Sequence, residues 1–281
     1  MSEVVYLSGR FLPYGQAAVP VEDRGFLFGD GIYEVFRVYR GRPFRFQDHL
    51  ERLTRSAREI RLDLPDLDWA AITGELLERN GLKGGDATVY LQVTRGAAAP
   101  RTHWFPPPGT PATVLMLARP ARPVDPELVE SGATAITHPD ERWGRCDIKS
   151  INLLPNVLAK QRAVEAGAHE ALFVRDGVVL EGASSNLFAV LDGRLVTYPR
   201  GPRILAGVTR GVVLELAREL GIPVVEGPIL VSDLDRATEL FITSTTAEIL
   251  PVVRVDGRPI GDGRPGPVTR ALYTAFRQQI S

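Results

Sequence analysis

Cysteine is nearly absent from this chain, and long hydrophobic runs are absent altogether. The single cysteine among 281 residues, Cys146, cannot form an intramolecular disulfide, which agrees with a reducing cytoplasm. The apolar runs are only a few residues long, so no segment is expected to cross a bilayer. The beginning, Met1-Ser2-Glu3, lacks the basic and then apolar pattern of a signal peptide. We therefore expect a cytoplasmic protein without membrane partners.

An excess of charge of either sign is also missing. Lys and Arg number 33 and Asp and Glu 34, which gives a net charge of −1, whereas nucleic-acid binding needs clustered positive charge. The G-x-x-x-x-G-K-[ST], G-x-G-x-x-G and G-x-S-x-G motifs are all absent. The four histidines have no partner at metal-ligand spacing. We therefore expect no nucleic-acid partner and no metal, in a globular protein with 44% hydrophobic residues.

Lysine is the next scarce residue, since 30 of the 33 basic residues are arginines. Lysine can lose its proton and attack a carbonyl, which arginine effectively cannot do. Of the three lysines, Lys83 lies in a glycine-rich turn and is expected to be solvated, and Lys160 borders an apolar helix stripe. Lys149 stands among apolar and small polar residues just before a predicted helix. Either it pairs with Asp147 or points outward, or its surroundings favour a neutral, nucleophilic amine.

Proline marks the organisation of the chain. Residues 119–126 contain three prolines, and such a segment is extended and stiff. We therefore predict a linker at about residues 119–127 between a small domain of residues 1–120 and a larger one of residues 121–281. Residues 96–111 contain five further prolines and are predicted to be an irregular loop.

Hydrophobic periodicity and turn signals predict strands and helices in both halves. In the first half, strands are predicted at residues 4–7, 11–12, 32–39, 87–95 and 113–118, and helices at 47–62 and 67–79. In the second half, strands are predicted at residues 171–174, 178–181, 187–190 and 195–197, and helices at 152–166 and 209–220. The apolar face of the helix at 152–166 carries Leu153, Leu154, Val157 and Val164.

Three further places could bind a ligand, although each also has an ordinary structural explanation. Glu181 ends an apolar strand before a small polar turn, where a carboxylate either faces water or accepts from a cationic ring. Thr209 opens a helix, and Ser244 and Thr245 follow an apolar strand. Backbone N–H groups and hydroxyls at such points can hold a phosphate, but they also serve as simple caps. The residues alone leave these explanations open.

Four motifs that occur in order connect these places. They are Asp-Arg-Gly-Phe-x-Phe-Gly-Asp-Gly-Ile-Tyr-Glu-Val from residue 23, Cys-Asp-Ile-Lys-Ser-x-Asn-Leu-Leu from 146, Glu-Gly-x-Ser-Ser-Asn-x-Phe from 181 and Thr-Ser-Thr-Thr-x-Glu-Ile from 243. Together they resemble the class IV, or fold-type IV, pyridoxal-phosphate-dependent aminotransferases, and above all the bacterial D-amino-acid aminotransferases. The resemblance covers nearly the whole chain. It implies an α+β fold with a small N-terminal α/β domain and a larger, β-barrel-like C-terminal domain with helices that binds the cofactor.

The resemblance also implies roles for individual residues. Lys149 would be the Schiff-base lysine that holds pyridoxal 5′-phosphate and also the proton shuttle. Glu181 would keep the ring nitrogen of the cofactor protonated, so that the ring accepts electrons. Arg52 would help to hold the phosphate, although helical spacing alone predicts a surface position for it. The cofactor-binding residues implied in this way are Arg52, Lys149, Glu181, Ser185, Leu205, Val208, Thr209, Ser244 and Thr245.

The proline-rich loop carries the implied substrate specificity. Arg101 and His103 match the Arg-x-His carboxylate trap of D-amino-acid aminotransferases, with Tyr33 as a third donor. Arginine can bind a carboxylate through two parallel N–H bonds. The reaction implied is transfer of an amino group from a D-amino acid to a 2-oxo acid, for example from D-alanine to 2-oxoglutarate. Within the family the neighbouring subunit often supplies this loop, which implies a homodimer.

Other activities of the same fold stay open. A branched-chain L-amino-acid aminotransferase typically carries Tyr-x-Arg-Pro where this chain has Val-Thr-Arg-Gly at residues 93–96, so the tyrosine and the proline are missing. An (R)-selective amine transaminase would fit if the trap residues point elsewhere. An aminodeoxychorismate lyase gives no reason for a carboxylate trap. A non-catalytic carrier of pyridoxal phosphate, or a scaffold without cofactor, is disfavoured by the joint presence of Lys149, Glu181 and the trap.

Overall fold

The chain folds into two compact units. The computed structural model describes residues 3–281, so Met1 and Ser2 of the N-terminal pattern lie outside the described residues. The first unit contains the described residues up to Arg122 together with Ile148–Asn152, and the second contains Pro123–Asp147 and Leu153–Ser281. The division after Arg122 falls inside the proline-containing segment. In the described residues, no helix is both long and apolar enough to cross a membrane.

The first unit is built on an antiparallel sheet of six strands with helices packed against it. The strands are β1 (Val4–Leu7), β2 (Arg10–Pro13), β3 (Gly31–Tyr39), β4 (Arg42–Pro43), β5 (Ala87–Thr94) and β6 (Thr113–Pro120), and the helices are α1 (Arg24–Phe28), α2 (Phe46–Glu59) and α3 (Trp69–Arg79). The strand order is β2-β1-β6-β5-β3-β4. Along β5, Val89, Leu91 and Val93 are fully buried, because alternate side chains point into the core. The predicted strands and helices of this half are confirmed, and residues 96–111 form an irregular loop.

The segment Ile148–Asn152 belongs to the first unit because its backbone adds to the edge of β3. The N–H of Tyr33 donates to the carbonyl of Lys149 at 2.9 Å, and the N–H of Ile151 donates to the carbonyl of Gly31 at 3.1 Å. The N–H of Lys149 also donates to Ser56 Oγ on α2 at 3.2 Å. Lys149 therefore lies in the first unit, although its sequence position falls within the range predicted for the second domain.

The second unit contains a sheet of ten strands and four helices. The strands are β7 (Ala133–Pro139), β8 (Glu170–Arg175), β9 (Val178–Gly182), β10 (Asn186–Leu191), β11 (Arg194–Thr197), β12 (Val224–Glu226), β13 (Ile229–Leu230), β14 (Glu239–Ser244), β15 (Glu248–Val255) and β16 (Arg258–Pro259), and the helices are α4 (Pro126–Ser131), α5 (Leu154–Glu165), α6 (Val208–Glu219) and α7 (Pro267–Gln279). The strands predicted at residues 171–174, 178–181, 187–190 and 195–197 are confirmed, and they pair as two hairpins, β8 with β9 and β10 with β11.

Six strands of the second unit close into a barrel-like ring. The ring runs β10-β14-β15-β7-β8-β9 and returns to β10. The closing contact pairs Glu181 of β9 with Asn186 of β10. Closure removes the free edges of these strands, and it confirms the predicted α+β fold with a barrel-like second part. The residue predicted to contact the cofactor ring therefore lies at the closure.

Helix α5 presents its largest apolar side chains outward. Leu154, Val157 and Val164 are 67%, 58% and 59% exposed, whereas Ala159 and Ala163 are fully buried. The stripe predicted on this helix therefore forms an outer surface of the second unit. By contrast, α6 turns its apolar spacing inward: Val212, Val213, Leu216 and Ala217 are buried, while Leu220, just after the helix end, is 47% exposed.

Candidate functional site

The residues singled out in the sequence fall in both units. Tyr33, Arg52, Lys149, Arg101 and His103 lie in the first unit. The second unit contains Glu181, Ser185, Leu205, Val208, Thr209, Ser244 and Thr245. Within residues 3–281, no three His, Cys, Asp or Glu side chains are grouped so that they could hold a metal ion.

Lys149 lies over the aromatic ring of Tyr33. Its Nζ is 4.2 Å from the ring centroid, a distance at which the π face stabilises a cation. The Tyr33 ring stacks on Tyr90 at 5.7 Å. Within the described part of the chain, Lys149 Nζ has no carboxylate at salt-bridge distance. The Lys149 residue is half-buried, so it remains partly accessible from solvent.

A buried ion pair between Glu34 and Arg52 lies close enough to Lys149 for an electrostatic interaction with it. Glu34 of β3 is fully buried and accepts hydrogen bonds from Arg52 Nε at 2.7 Å and from Arg52 Nη2 at 2.8 Å. Glu34 also contacts His49 Nδ1 at 2.7 Å. Burial alone would raise the pKa of Glu34, but the charge and hydrogen bonds of Arg52 outweigh it and lower the pKa to about 2. Glu34 therefore stays ionised and fixes the Arg52 side chain, which is nearly buried.

Arg101 and His103 are both exposed, and both pack on one aromatic ring. The Arg101 guanidinium is 4.3 Å from the centroid of Phe28, and the His103 ring lies 5.5 Å from it. The guanidinium of Arg24 is the third group on this ring, at 4.7 Å. The structure thus brings the two predicted trap residues together on the last residue of α1. It shows no contact of either residue with Tyr33 among the described residues.

In the second unit, Glu181 is held by three donors. Asn186 Nδ2 donates to it at 2.9 Å, and the N–H of Leu205 reaches its two oxygens at 3.2 and 3.1 Å. Arg142 forms a close ion pair with Glu181, and its Nε donates to Asp140 at 2.8 Å. Asn186 Nδ2 also donates to the carbonyl of Leu205 at 2.7 Å. Glu181 therefore does not face water, which removes the ordinary explanation of its position.

The surroundings of Glu181 disfavour its ionised form. Burial raises the pKa of Glu181 to about 7, and the charge and hydrogen bonds of Arg142 offset this only in part. A carboxylate in this state would be stabilised by one more cationic donor, since opposite charges favour the ionised form. The chemistry of this donor set therefore fits a protonated ring nitrogen.

The beginning of α6 offers unpaired backbone donors. The helix has 12 residues, and its N-cap, Gly207, provides no side-chain cap. Val208 and Thr209 occupy the first turn, where N–H groups have no acceptor inside the helix and can bind an anion. Gly207 must be glycine because a Cβ there would collide with Oδ1 of Asn186. Asn186, which donates a hydrogen bond to Glu181, thus also lies directly against the N-terminus of α6.

The end of β14, just before the turn that carries Thr245, contains a buried hydroxyl. Among the described residues, Thr243 Oγ1 is buried and makes no hydrogen bond, which points to a missing donor or acceptor beside it. Ser244 Oγ accepts from the N–H of Ala247 at 3.0 Å, so it also stabilises the turn that carries Thr245. Such an orphaned hydroxyl fits a polar ligand bound at this turn.

Ser185 is part of a small network around a buried carboxylate. Its Oγ donates to Glu170 at 2.9 Å, and Ser184 Oγ donates to the same oxygen at 3.1 Å. Lys160 Nζ lies 3.5 Å from Glu170 and also contacts the carbonyl of His169. The Lys160 ammonium is therefore engaged in contacts within its own unit. The exposed Lys83 pairs with Glu78 at 3.2 Å, as expected for a solvated lysine.

Four functional-site residues were missed by the sequence reasoning, which did not single out Glu34, His49, Arg142 or Asp140. A signal existed for Glu34, because a charged residue inside an apolar strand indicates a compensated buried charge. The partnership of Arg142 with Glu181 spans 39 positions, and no local pattern indicates it. The surface position that helical spacing predicted for Arg52 is wrong, because the ion pair with Glu34 compensates its charge and permits burial.

The chain is similar to several known proteins. A family model described as amino-transferase class IV matches residues 31–255. The D-alanine aminotransferase of Staphylococcus haemolyticus is 44% identical over 279 residues, which cover 98% of this chain and 97% of that protein. The D-alanine aminotransferase of Bacillus licheniformis is 44% identical over 278 residues, with coverage of 98% and 96%.

Solved structures with the same fold carry a different name. The branched-chain amino acid aminotransferase of Escherichia coli matches with a TM-score of 0.89 at 29% identity and covers 100% of this chain and 95% of that one. The branched-chain enzyme of T.th., solved with pyridoxamine 5′-phosphate, matches with a TM-score of 0.88 at 31% identity, with coverage of 100% and 94%. This chain therefore matches branched-chain enzymes in backbone and D-alanine aminotransferases in sequence, and its side chains have to decide between the two activities.

Proposed function

The chain belongs to the class IV aminotransferase family, and from this premise we propose that it transfers the amino group of a D-amino acid to a 2-oxo acid. Class IV aminotransferases use pyridoxal phosphate, and this chain is a pyridoxal-phosphate-dependent transaminase. The relatives named D-alanine aminotransferase match nearly its full length at 44% identity. D-alanine is accordingly the first donor to test, with 2-oxoglutarate as the acceptor.

The residues present fit this cofactor. When bound, pyridoxal 5′-phosphate supplies an aldehyde that condenses with amines and a ring that accepts electrons from the substrate carbon. Lys149 provides the primary amine for its attachment and is held by backbone hydrogen bonds at residues 149 and 151. A lysine tethered in this way can also take a proton from one carbon and return it to another. We assign both roles to Lys149.

Glu181 controls the ring. It would accept a hydrogen bond from the protonated ring nitrogen, and that cation would in turn favour the ionised carboxylate. Arg142, Asn186 and the N–H of Leu205 orient its oxygens. Leu205 would pack its side chain against the ring. The buried position keeps water from competing for the same oxygens.

The phosphate would be held by the N–H groups of Val208 and Thr209 at the start of α6, together with the hydroxyls of Ser244 and Thr245. The uncapped helix start and the orphaned Thr243 hydroxyl support this assignment. Ser185 and Arg52 complete the proposed set. The bidentate pair with Glu34 leaves Arg52 fixed and charged, as a phosphate ligand needs to be.

The observation that carries the choice of substrate is the placement of Arg101 and His103 on the same ring. Two neighbouring donors that pack on one ring can bind a carboxylate together, and a charge-assisted hydrogen bond contributes about 1.5–3 kcal/mol. With Tyr33 as a third donor, this grip would decide which face of the substrate carbon meets Lys149. A carboxylate-free amine would gain nothing from it.

The alternative of a branched-chain L-amino-acid aminotransferase is supported by the names of the structural neighbours. In this chain, however, Arg95 of the corresponding segment is engaged in the fold. It donates to Asp30 at 2.8 and 2.9 Å and to the carbonyls of Ile60 and Arg61 at 2.7 and 2.6 Å. Its donors are therefore directed at protein groups, which favours the D-amino-acid activity.

The test is the first half-reaction without any acceptor. Enzyme loaded with pyridoxal phosphate is mixed with D-alanine, L-leucine or (R)-1-phenylethylamine, and the loss of the visible cofactor band is followed by stopped flow. We expect D-alanine to react fastest. A faster reaction of L-leucine would favour the branched-chain alternative, and an equal rate with the arylamine would favour an amine transaminase. Protein that takes up no cofactor would contradict the proposal.

Two variants sharpen this experiment. Lys149→Ala should abolish the reaction, whereas Lys160→Arg, which preserves a cation beside Glu170, should react like the wild type. Arg101→Ala should raise the KM for D-alanine about ten- to hundredfold, because 1.4 kcal/mol corresponds to a factor of ten. The same variant should leave the KM for (R)-1-phenylethylamine nearly unchanged.

We further propose that the enzyme works as a homodimer in the cytoplasm. Exposed apolar side chains support an interface, since such patches on soluble proteins mark contact sites. Phe26 and Trp104 of the first unit are 78% and 74% exposed, and α5 exposes Leu154 and Val157. In the proposed dimer the loop with Arg101 serves the site of the neighbouring subunit. The single cysteine is consistent with a reducing compartment.

Complementation distinguishes a loop that acts across the dimer from one that acts within its own subunit. Subunits with Lys149→Ala and Arg101→Ala are co-expressed with different tags, and the mixed dimer is purified. If the loop acts across the dimer, one site is complete and about half the wild-type activity returns. If it acts within one subunit, the mixed dimer stays as defective as its parents. A monomer in sedimentation would contradict the dimer itself.

A further inference from the structure

The loop that carries Arg101 and His103 rests over an open cleft. The cleft has a volume of about 480 Å³, and its walls include Phe28, Asp30, Arg95, His103 and Phe105. A surface loop beside such a cleft depends on individual contacts for its shape, and one of them is the packing of the Phe105 ring on the Arg95 guanidinium at 3.9 Å. The base of the loop is tight, since a Cβ on Gly96 would collide with the carbonyl of Pro111. The part between residues 100 and 105 needs other anchors.

Arg24 supplies the anchor at the position between the two trap residues. Its Nη1 donates to the carbonyl of Thr102 at 2.8 Å, and its N–H donates to the carbonyl of Gly96 at 2.9 Å. Thr102 stands directly between Arg101 and His103 in the sequence. Arg24 therefore holds the loop at two points, at Gly96 where it begins and at Thr102 in its middle.

The same guanidinium is itself held in place. Arg24 is 5% exposed, and its Nε donates to Asp30 at 2.8 Å. Asp30 is shared with Arg95. Burial would raise the pKa of Asp30, but the hydrogen bonds of Arg95 and Arg24 outweigh it and lower the pKa. The guanidinium also lies over Phe28, which is the ring that supports both trap residues.

From this geometry we infer that Arg24 is a positioning residue that holds Arg101 and His103 in the arrangement needed to bind the substrate carboxylate. The inference rests on the proposed function. Arg24 touches no substrate; it acts through the Thr102 carbonyl and the Phe28 ring. Lysine cannot replace it fully, because a single ammonium lacks the planar fork that reaches Asp30 and Thr102 together.

The test compares Arg24→Met and Arg24→Lys with a matched control, Arg79→Met. Arg79 also pairs with a carboxylate, Glu75, at 2.6 Å and lies over a phenyl ring, Phe11, at 4.6 Å, but it contacts no part of the loop. Arg24→Met should raise the KM for D-alanine at least tenfold, since displacing a binding group by about 1 Å can cost a hundredfold. The KM for (R)-1-phenylethylamine should not change, Arg24→Lys should be intermediate, and Arg79→Met should match the wild type.

Two further measurements separate positioning from general damage. Hydrogen exchange should become faster in peptides that cover residues 98–106 of the Arg24→Met protein, and not in those of the Arg79→Met protein. Adding Arg24→Met to Arg101→Ala should raise the KM for D-alanine little further, because the trap is already lost. If Arg24→Met does not fold, Arg24→Lys carries the same comparison.

The outcomes are distinguishable from failure of the proposed function. Unchanged loop exchange, an unchanged KM for D-alanine, or an equal rise for both amines would overturn the role of Arg24. If the wild type itself does not react with D-alanine, the proposed function fails, while the exchange measurement still decides whether Arg24 anchors the loop.

Discussion

Replacing Glu181 with glutamine should remove a pH dependence from the stability of the cofactor-free protein and should impair the reaction. Burial raises the pKa of Glu181 to about 7, although Arg142 partly offsets the effect. The pKa of Glu181 is higher in the folded protein than in the unfolded chain. Its contribution to the free energy of unfolding is therefore fully present below about pH 4.5 and is lost as the pH rises through about 7. A shift of this size corresponds to roughly 3 kcal/mol.

Glutamine preserves the shape of the side chain but not its titration. It can still accept the N–H of Leu205, and Arg142 keeps its hydrogen bond to Asp140. The free energy of unfolding is measured by urea titration of cofactor-free protein between pH 5 and pH 8. The stability of the wild type relative to that of Glu181→Gln should fall by roughly 2–3 kcal/mol over this range, because the lowered pKa of His49 contributes equally to both proteins and cancels in the difference. Glu239→Gln, which replaces one of the two acceptor oxygens at the start of α7 with an N–H donor, should lower stability but keep the wild-type slope.

The loaded enzyme should respond in the opposite direction. A neutral amide cannot hold the ring nitrogen in its protonated state, so the half-reaction of Glu181→Gln with D-alanine should slow at least tenfold, as expected from a charge-assisted contact of about 1.5–3 kcal/mol. Equal pH slopes for the wild type and Glu181→Gln would refute the assignment of the raised pKa to Glu181.

Three other expectations concern the first unit. The pKa of Glu34 is lowered to about 2, so its stabilisation is present above about pH 4.5 and lost as the pH falls towards 2; circular dichroism should show this acid slope in the wild type and not in Glu34→Gln. Lys149→Arg retains the cation over Tyr33 but cannot form an imine, so borohydride should add cofactor mass only to the wild type. Leu91→Ala should cost about 2–5 kcal/mol in urea unfolding, because this side chain is fully buried; a loss under 1 kcal/mol would contradict its core position.

The regular elements could be predicted because their signals are local. Alternation along β5 and the apolar spacing of α6 show directly in the sequence, and both elements form as predicted. The family resemblance is confirmed by the class IV match and by relatives that cover nearly the whole chain. The resemblance assigned roles to Lys149 and Glu181, whereas the local sequence patterns left the roles of both residues open. The joint action of Lys149 and Glu181 on one cofactor stays a prediction.

The features that could not be predicted depend on partners far apart in the sequence. Arg52 lies off the apolar stripe of α2, but a carboxylate 18 positions earlier on β3 permits its burial. Arg142 has no motif around it and is defined by its contact with Glu181. The apolar stripe of α5 was visible in the sequence, although periodicity alone cannot say whether such a face meets the core of its own chain or remains outside.

The crossing of Ile148–Asn152 into the first unit has a consequence for biosynthesis. A fragment that stops at the linker lacks the segment that satisfies the backbone groups of Gly31 and Tyr33, so it is not a self-sufficient module. During synthesis on the ribosome, the edge of β3 therefore stays without these backbone partners until more than half of the polypeptide has emerged. The reactive amine and the last missing piece of the first unit then arrive together.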